Sequence, residues 1–383
     1  MTRSALTVLG GGNTAFAAAA NLSLRGFEVT LCEHPSFAWT LDPIAEGTIA
    51  LDGVAGQGTA AIRQLTTDFE EGLSNDLLLL IVPAYAHKPF AEACAPHLRD
   101  GHTLVLMPGT LGTLEFAHIL WPDGRRRLEI LLAETDTAPY VCRKLRPDGA
   151  HIWGVVSQLG LGVFPANRTE EVSDQLASVF TRDGFGPASG DNQHPSAIAS
   201  YSNVIECGLS AMNPVVHPPG VLMNAGRVEY SHGDFCFYEE GVMPGVCNAI
   251  YHLDRERRAI GEALGFDLLP VDEAFHQAGF GPRGDLWATV NGSLMLTRLR
   301  APGALDTRWL TEDVPYGLAA WRSLARQFGV NTPLMEGLVE LASATLRRDF
   351  WKSARTVREL GIDGMGKKAL LRYVLTGARQ GKD

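Results

Sequence analysis

The chain has 383 residues, more than one typical domain, and its 45% hydrophobic and 20% charged content is enough for two ordinary globular cores. A net charge of −10 and a pI near 5.6 argue against a nucleic-acid binder held by phosphate contacts, although a local arginine can still grip a small anion. The six cysteines are widely spaced without a C-x-x-C pair, and the start "MTRSALTVLG" runs straight into an apolar strand; both point to reduced thiols in a cytoplasmic protein.

The elements alternate through the first half. "ALTVL" (5–9) reads as a strand ending at glycines, and 14–25, "TAFAAAANLSLR", as an Ala/Leu-rich helix. "EVTLCE" (28–33) reads as the next strand. "DLLLLIVP" (76–83), "HTLVLMPG" (102–109) and "RLEILLAET" (127–135) follow as buried strands of a parallel sheet. The longest apolar run, "LLLLIVPAYA", is too short to span a bilayer, so no membrane partner is expected. The polar stretch "GPASGDNQHPS" (186–196) marks a domain boundary at about 187. Beyond it, 197–212, 248–265 and 333–346 read as helices. The expected fold is α/β: an N-terminal Rossmann-type doubly wound domain (1–186) plus a mainly α-helical C-terminal domain (187–383).

Residues 10–15, "GGGNTA", form a G-x-G-x-x-A turn between the first strand and the helix. Gly10 permits the tight turn, Gly12 lets backbone approach a pyrophosphate, and Ala15 lets helix and strand pack closely. Asn13 and Thr14 open the helix, whose N-terminus offers N–H donors to phosphate. Glu33 closes the second strand 21 residues after Gly12, near the spacing of about 20 expected of the acid that binds a ribose 2′-hydroxyl. NAD is the expected cofactor. NADP stays open, because His34 and Arg63 are basic residues of the same region.

A proton donor is needed in the second half. Residues 145–351 contain no lysine, which leaves histidine as the next candidate. His217 stands out in "NPVVHPPG" (213–220), where Pro214, Pro218 and Pro219 suit neither a regular helix nor a central strand. It is either a structural imidazole in a rigid turn or one aimed at a substrate. "RWLTEDVPYGL" (308–318) carries Arg308, Glu312 and Asp313 before a proline turn. A carboxylate here can hold a histidine's tautomer, and an arginine can grip a substrate carboxylate; a solvated charged loop is the plainer reading. The histidines and cysteines lack clustered ligand spacing, so no metal site is expected.

The ordered motifs "LGGGNTA", "IVPAYAH" (81–87), "LMPGTLG" (106–112), "AETDTAPYVCR" (133–143), "NPVVHPPG" and "LTEDVPYGL" resemble the opine dehydrogenase (NAD/NADP octopine/nopaline dehydrogenase) family across nearly the whole chain. The resemblance implies an enzyme that condenses an amino acid with a 2-oxo acid such as pyruvate and reduces the imine with NAD(P)H. It places the catalytic dyad on His217 and Asp313, a substrate arginine on Arg308 and pocket positions on Thr137 and Cys142, with Pro83 of "IVPAYAH" beside the cofactor. Ala138 and Tyr140 depart from the leucine and tryptophan of better-known members. The implied partners are a small-molecule amino acid and a 2-oxo acid, with no nucleic acid and no membrane, and a homodimer is allowed for. A simple 2-oxo acid or imine reductase on the same scaffold and a non-catalytic dinucleotide sensor are the alternatives.

Overall fold

A computed structural model describes residues 4–181 and 196–379. They fall into two compact units. The first holds 4–82, 86–208 and 372–379, and the second holds Pro83–Tyr85 and 209–371. The boundary expected at 186/187 lies outside the described residues.

The first unit is built on strands β1 (Ala5–Leu9), β2 (Glu28–Cys32), β3 (Thr48–Gly53), β4 (Gly58–Ala61), β5 (Gln64–Thr66), β6 (Leu77–Leu80), β7 (Thr103–Leu106), β8 (Leu131–Thr135), β9 (Tyr140–Arg146), β10 (Gly149–Val155), β11 (Leu159–Phe164) and β12 (Ile198–Ser200). Eight of them form one sheet in the order β12-β11-β8-β7-β6-β1-β2-β5, parallel throughout except for the antiparallel pair β8/β11. Val8 stands between Leu31 on one side and Leu79 on the other. The strand order reverses at β1/β6, the type of crevice where open α/β sheets take ligands at the carboxyl ends of their strands. β6 and β7 are buried at every position, which is why they read as continuous apolar runs rather than alternating ones.

A second sheet, β4-β3-β10-β9, was not legible in the sequence. It packs on the far side of the helix Asn13–Leu24, so that helix lies between two sheets. Its residues Ala15–Leu22 are all buried, which explains the run of alanines: a helix covered all round needs small side chains where both neighbours come close. Asn21, also buried, donates to Ala55 O (2.8 Å) and accepts from the Tyr140 hydroxyl (2.9 Å).

One expected helix is corrected. The 197–212 segment begins as β12, an edge strand pairing in parallel with β11, and turns helical only at Val204–Leu209. Ser200–Asn203 break the helical pattern, and the sheet edge supplies backbone partners that the local sequence does not announce.

The second unit is helical. Its long helix Pro244–Leu264 and the helix Pro333–Leu346 match the expected segments within a few residues. The long helix packs against the helices Asn213–Met223, Ala319–Gln327 and Pro333–Leu346. Arg257, fully buried on it, donates to Asp254 (2.7 Å) and to the Leu209 carbonyl (2.8 Å), so its charge is paired and its donors are used. Among the described residues no helix is long and apolar enough to cross a membrane.

Candidate functional site

Two constellations carry chemistry, one in each unit. In the first, β1 delivers the chain to Gly10, whose φ of +120° is left-handed, and a Cβ there would stand 2.7 Å from the Ile81 carbonyl. At Gly11 a Cβ would meet the Thr40 hydroxyl at 2.3 Å and a Glu33 carboxylate oxygen at 2.4 Å. Gly12 caps the helix with ordinary backbone angles, no side-chain cap and open space where a Cβ would go. A 12-residue helix thus presents its uncapped N–H groups past a bare glycine, a cradle that fits a pyrophosphate.

Glu33 stands beside this turn, 5% exposed. Its carboxylate accepts from the His34 amide (2.8 Å), the Thr40 hydroxyl (3.3 Å) and the Gly11 amide. Burial raises its pKa above the usual carboxylate range, against these hydrogen bonds and the nearby Lys144 ammonium. Arg63 is turned to Glu28 in an exposed ion pair (2.9 Å). Lys144, unremarked in the sequence, donates to the Gly11 carbonyl (2.9 Å) and lies 3.8 Å from the centre of the Phe16 ring. Strand β9 is tied to the helix start at two further points: the Lys144 amide donates to Asn13 Oδ1 (3.0 Å), and Cys142 Sγ lies 3.7 Å from the Thr14 hydroxyl. Asn13 and Thr14 therefore hold the second sheet on this helix. Thr137 sits in the bend between β8 and β9, its carbonyl accepting from the Thr135 hydroxyl (2.7 Å).

Gly12→Ala separates folding from binding. It is expected to leave the thermal midpoint within a degree or two and to weaken NADH binding at least about tenfold, since the methyl would meet only what enters the cradle. Titration of intrinsic NADH fluorescence, with a melting curve alongside, checks both.

In the second unit the stretch expected as a stiff turn is a helix, Asn213–Met223, with Pro214 in its first turn and Pro218 and Pro219 inside it. The missing N–H groups cost two helical hydrogen bonds, but close packing holds the segment in place. Gly220 lies against the Phe237 ring, where a Cβ would come within 2.4 Å. Gly317 lies against Pro214 with a Cβ clearance of only 2.5 Å. That close approach draws the π-helical turn Asp313–Leu318 onto the helix and brings together residues 96 positions apart.

His217 Nδ1 lies 2.8 Å from Asp313 Oδ2, with the two side chains 8% and 10% exposed. The Trp309 ring stacks on the imidazole at 4.2 Å and 15°. Phe237 meets both rings edge-on. The Tyr238 hydroxyl stands 3.4 Å from the other ring nitrogen, Nε2. Arg308, on the short helix Arg308–Thr311, keeps its side chain 55% exposed, with Nη1 4.0 Å from Glu312. Glu312 accepts from the Ala84 amide (2.8 Å), and the buried Arg355 donates to the Ala84 carbonyl (2.8 Å), so both polar groups of residue 84 are held by charged side chains. Pro83, half-buried, belongs with this tripeptide to the second unit. Burial pushes Glu312 up to about 7; Arg308 opposes the shift and the like charge of Asp313 adds to it.

The structure thus brings His217 and Asp313 into contact, sets Arg308 on the adjoining helix, and adds Trp309, Tyr238, Phe237 and Arg355, which sequence reasoning missed. Trp309 had a signal in its place directly after Arg308; "FCFYEEG" had none. A pair such as His217–Asp313 holds one imidazole tautomer and stabilises its protonated form, which suits general acid–base work.

Residues 200–346 match the family model described as "NAD/NADP octopine/nopaline dehydrogenase, alpha-helical domain". The opine dehydrogenase of Arthrobacter sp. (strain 1C) is 31% identical over 366 residues, covering 94% of this chain and 95% of that protein. Vitopine synthase of Allorhizobium ampelinum is 25% identical over 374 residues, covering 94% and 96%. A solved octopine dehydrogenase in complex with NADH and agmatine shares the fold, with a TM-score of 0.74 at 19% identity over 99% of this chain and 100% of that one. With its paired imidazole and carboxylate inside the matched helical segment, and nearly full-length identity to a relative above 30%, the chain belongs to the opine dehydrogenase family of NAD(P)-dependent oxidoreductases acting on CH–NH donors.

Proposed function

We propose that this protein joins the amino group of an amino acid to a 2-oxo acid such as pyruvate, reduces the resulting imine with NAD(P)H, and runs the reverse oxidation. The observation that carries this reading is the buried His217–Asp313 pair, 2.8 Å long, under the Trp309 ring. Gly10, Gly12, Asn13, Thr14 and Ala15 form the cradle for the cofactor pyrophosphate, Glu33 is the acid for the ribose, and Pro83 is a further cofactor residue by the family resemblance. The bound cofactor supplies the hydride.

The other steps belong to the chain. His217, as imidazolium, donates a proton from Nε2 to the oxygen that leaves as water during condensation, takes up a proton that the condensing amine gives up, and then protonates the nitrogen that is reduced. Asp313 keeps the proton on Nδ1 and stabilises the charged ring. Arg308 holds the 2-oxo acid carboxylate with two parallel N–H donors. Thr137 and Cys142, on the bend and strand after β8, are substrate positions by the family resemblance, with the Cys142 thiol set against Thr14. The wide spacing of the six cysteines, without a C-x-x-C pair, supports a cytoplasmic home.

A matrix of 2-oxo acids against amino acids, with NADH and NADPH, tests the reading by product mass. The expected product has the mass of the condensed, reduced pair, and NAD(P)H oxidation requires both substrates. Oxidation with the oxo acid alone would mark a plain ketone reductase instead.

Glu312 gives the reaction a pH dependence. Below about pH 7 it is neutral; above, its carboxylate competes with the substrate's for Arg308. The KM for the oxo acid is therefore expected to rise several-fold between pH 6 and pH 8.5, roughly one surface charge pair's worth. Glu312→Gln flattens the profile. The same raised pKa means the folded state binds an extra proton between the unfolded carboxyl's range and about 7. Glu312's contribution to stability is then greatest below pH 4.5 and declines as pH rises to about 7.

A further inference from the structure

His217 has two working nitrogens, and the Asp313 contact accounts for only one. Nε2 faces the Tyr238 hydroxyl at 3.4 Å. Tyr238 is 5% exposed, and its phenol lies on the π-helical turn Phe237–Gly241. Asp313 stands on the other π-helical turn, Asp313–Leu318. Such turns are rare and gather at functional sites. Here one turn addresses each nitrogen of the same ring. The first is fixed on the His217 helix by Gly220 against Phe237, the second by Gly317 against Pro214.

Burial, with the Asp313 charge adding to it, raises the Tyr238 pKa well above that of a free phenol, so the hydroxyl keeps its proton. It can therefore donate to a bare Nε2 lone pair or, by rotating about its C–O bond, accept from Nε2–H. Trp309 covers one face of the ring and Phe237 meets it edge-on. We infer that Tyr238 is a positioning residue for His217, receiving the Nε2 lone pair left behind when the proton moves to substrate and so holding the neutral ring with its remaining proton on Nδ1.

The step balances. The Nε2–H bond breaks, its electron pair stays on Nε2, the proton bonds to the substrate, and the Tyr238 O–H turns to donate to that pair. Nε2 regains a proton from solvent before the next reductive cycle, and in the oxidative direction the substrate N–H proton displaces the phenol. The titratable and charged groups around this pair are Asp313 and Glu312 on one side, Arg308 on the helix before them, and the phenol itself. The inference rests on the acid–base role proposed for His217.

Tyr238→Phe removes one oxygen and keeps the ring. Losing one neutral hydrogen bond predicts a fall in kcat of roughly three- to tenfold in both directions. The KM for the oxo acid and the Kd for NADH are expected to stay within about twofold. An unchanged kcat in Tyr238→Phe, with His217→Ala inactive, would overturn the inference and leave the His217 role standing. A kcat loss accompanied by an equal loss of NADH binding or a lowered melting point would make Tyr238 a packing residue, which also overturns it. Full turnover in His217→Ala would remove both the role and the inference.

Discussion

His217→Ala is expected to lower kcat by roughly two to four orders of magnitude in both directions, the usual range for a lost general acid–base. The imidazole is almost fully buried, so solvent cannot readily take over its proton transfer. NADH binding should stay near normal, since Gly12, Glu33 and the uncapped helix lie in the first unit and depend on none of its contacts. Some stability will go with the ring: it stacks on Trp309 and fills space beside Phe237, so its loss costs about 0.5–3 kcal/mol, the usual range for a single substitution. Single-turnover kinetics at a temperature well below the melting point separates the two effects. Unchanged single-turnover rates would refute the assigned role.

The second large effect divides the labour between Asp313 and Arg308. Asp313→Asn keeps the shape and an acceptor for Nδ1–H but removes the charge that stabilises the imidazolium. Related dyads in serine proteases suggest a kcat loss on the order of a thousandfold or more, with the oxo-acid KM changed little. Arg308→Ala should do the reverse. A charge-assisted bidentate hydrogen bond is worth about 1.5–3 kcal/mol, so the KM for the oxo acid should rise roughly ten- to a hundredfold, with a smaller change in kcat. Arg308 is half exposed, so its loss should barely move the melting point, whereas the buried Asp313 is expected to matter to stability as well. Kinetic constants for both variants with pyruvate and a saturating amine check the division; swapped effects would break it.

The nucleotide half was legible because its signals are local. The turn Gly10–Ala15, the strand before it and Glu33 after it sit within one β–α–β unit, and the parallel strands announce themselves as short apolar runs. What lay hidden depends on distant partners. Gly11 looks replaceable until Glu33 and Thr40 close over it. The second sheet includes strands such as "YVCRKLR", whose alternation is weak and half exposed, so no apolar pattern marks it. The contact of His217 with Asp313 was an expectation only through the family resemblance, because nothing in the intervening residues fixes how the chain returns. The prolines misled for a related reason: their helix-breaking cost is local, and the close packing of Gly220 and Gly317 that offsets it is not.

Pro83–Tyr85 stands with the second unit although its neighbours in the chain on both sides stand with the first. This bears on how the protein can be cut and rejoined. A fragment starting at residue 209 would leave Glu312 without the Ala84 amide and Arg355 without the Ala84 carbonyl. The helical half is therefore not a portable cassette. Grafting it onto another nucleotide-binding scaffold would require carrying these three residues along, or re-creating a backbone segment that offers the same donor and acceptor in the same place.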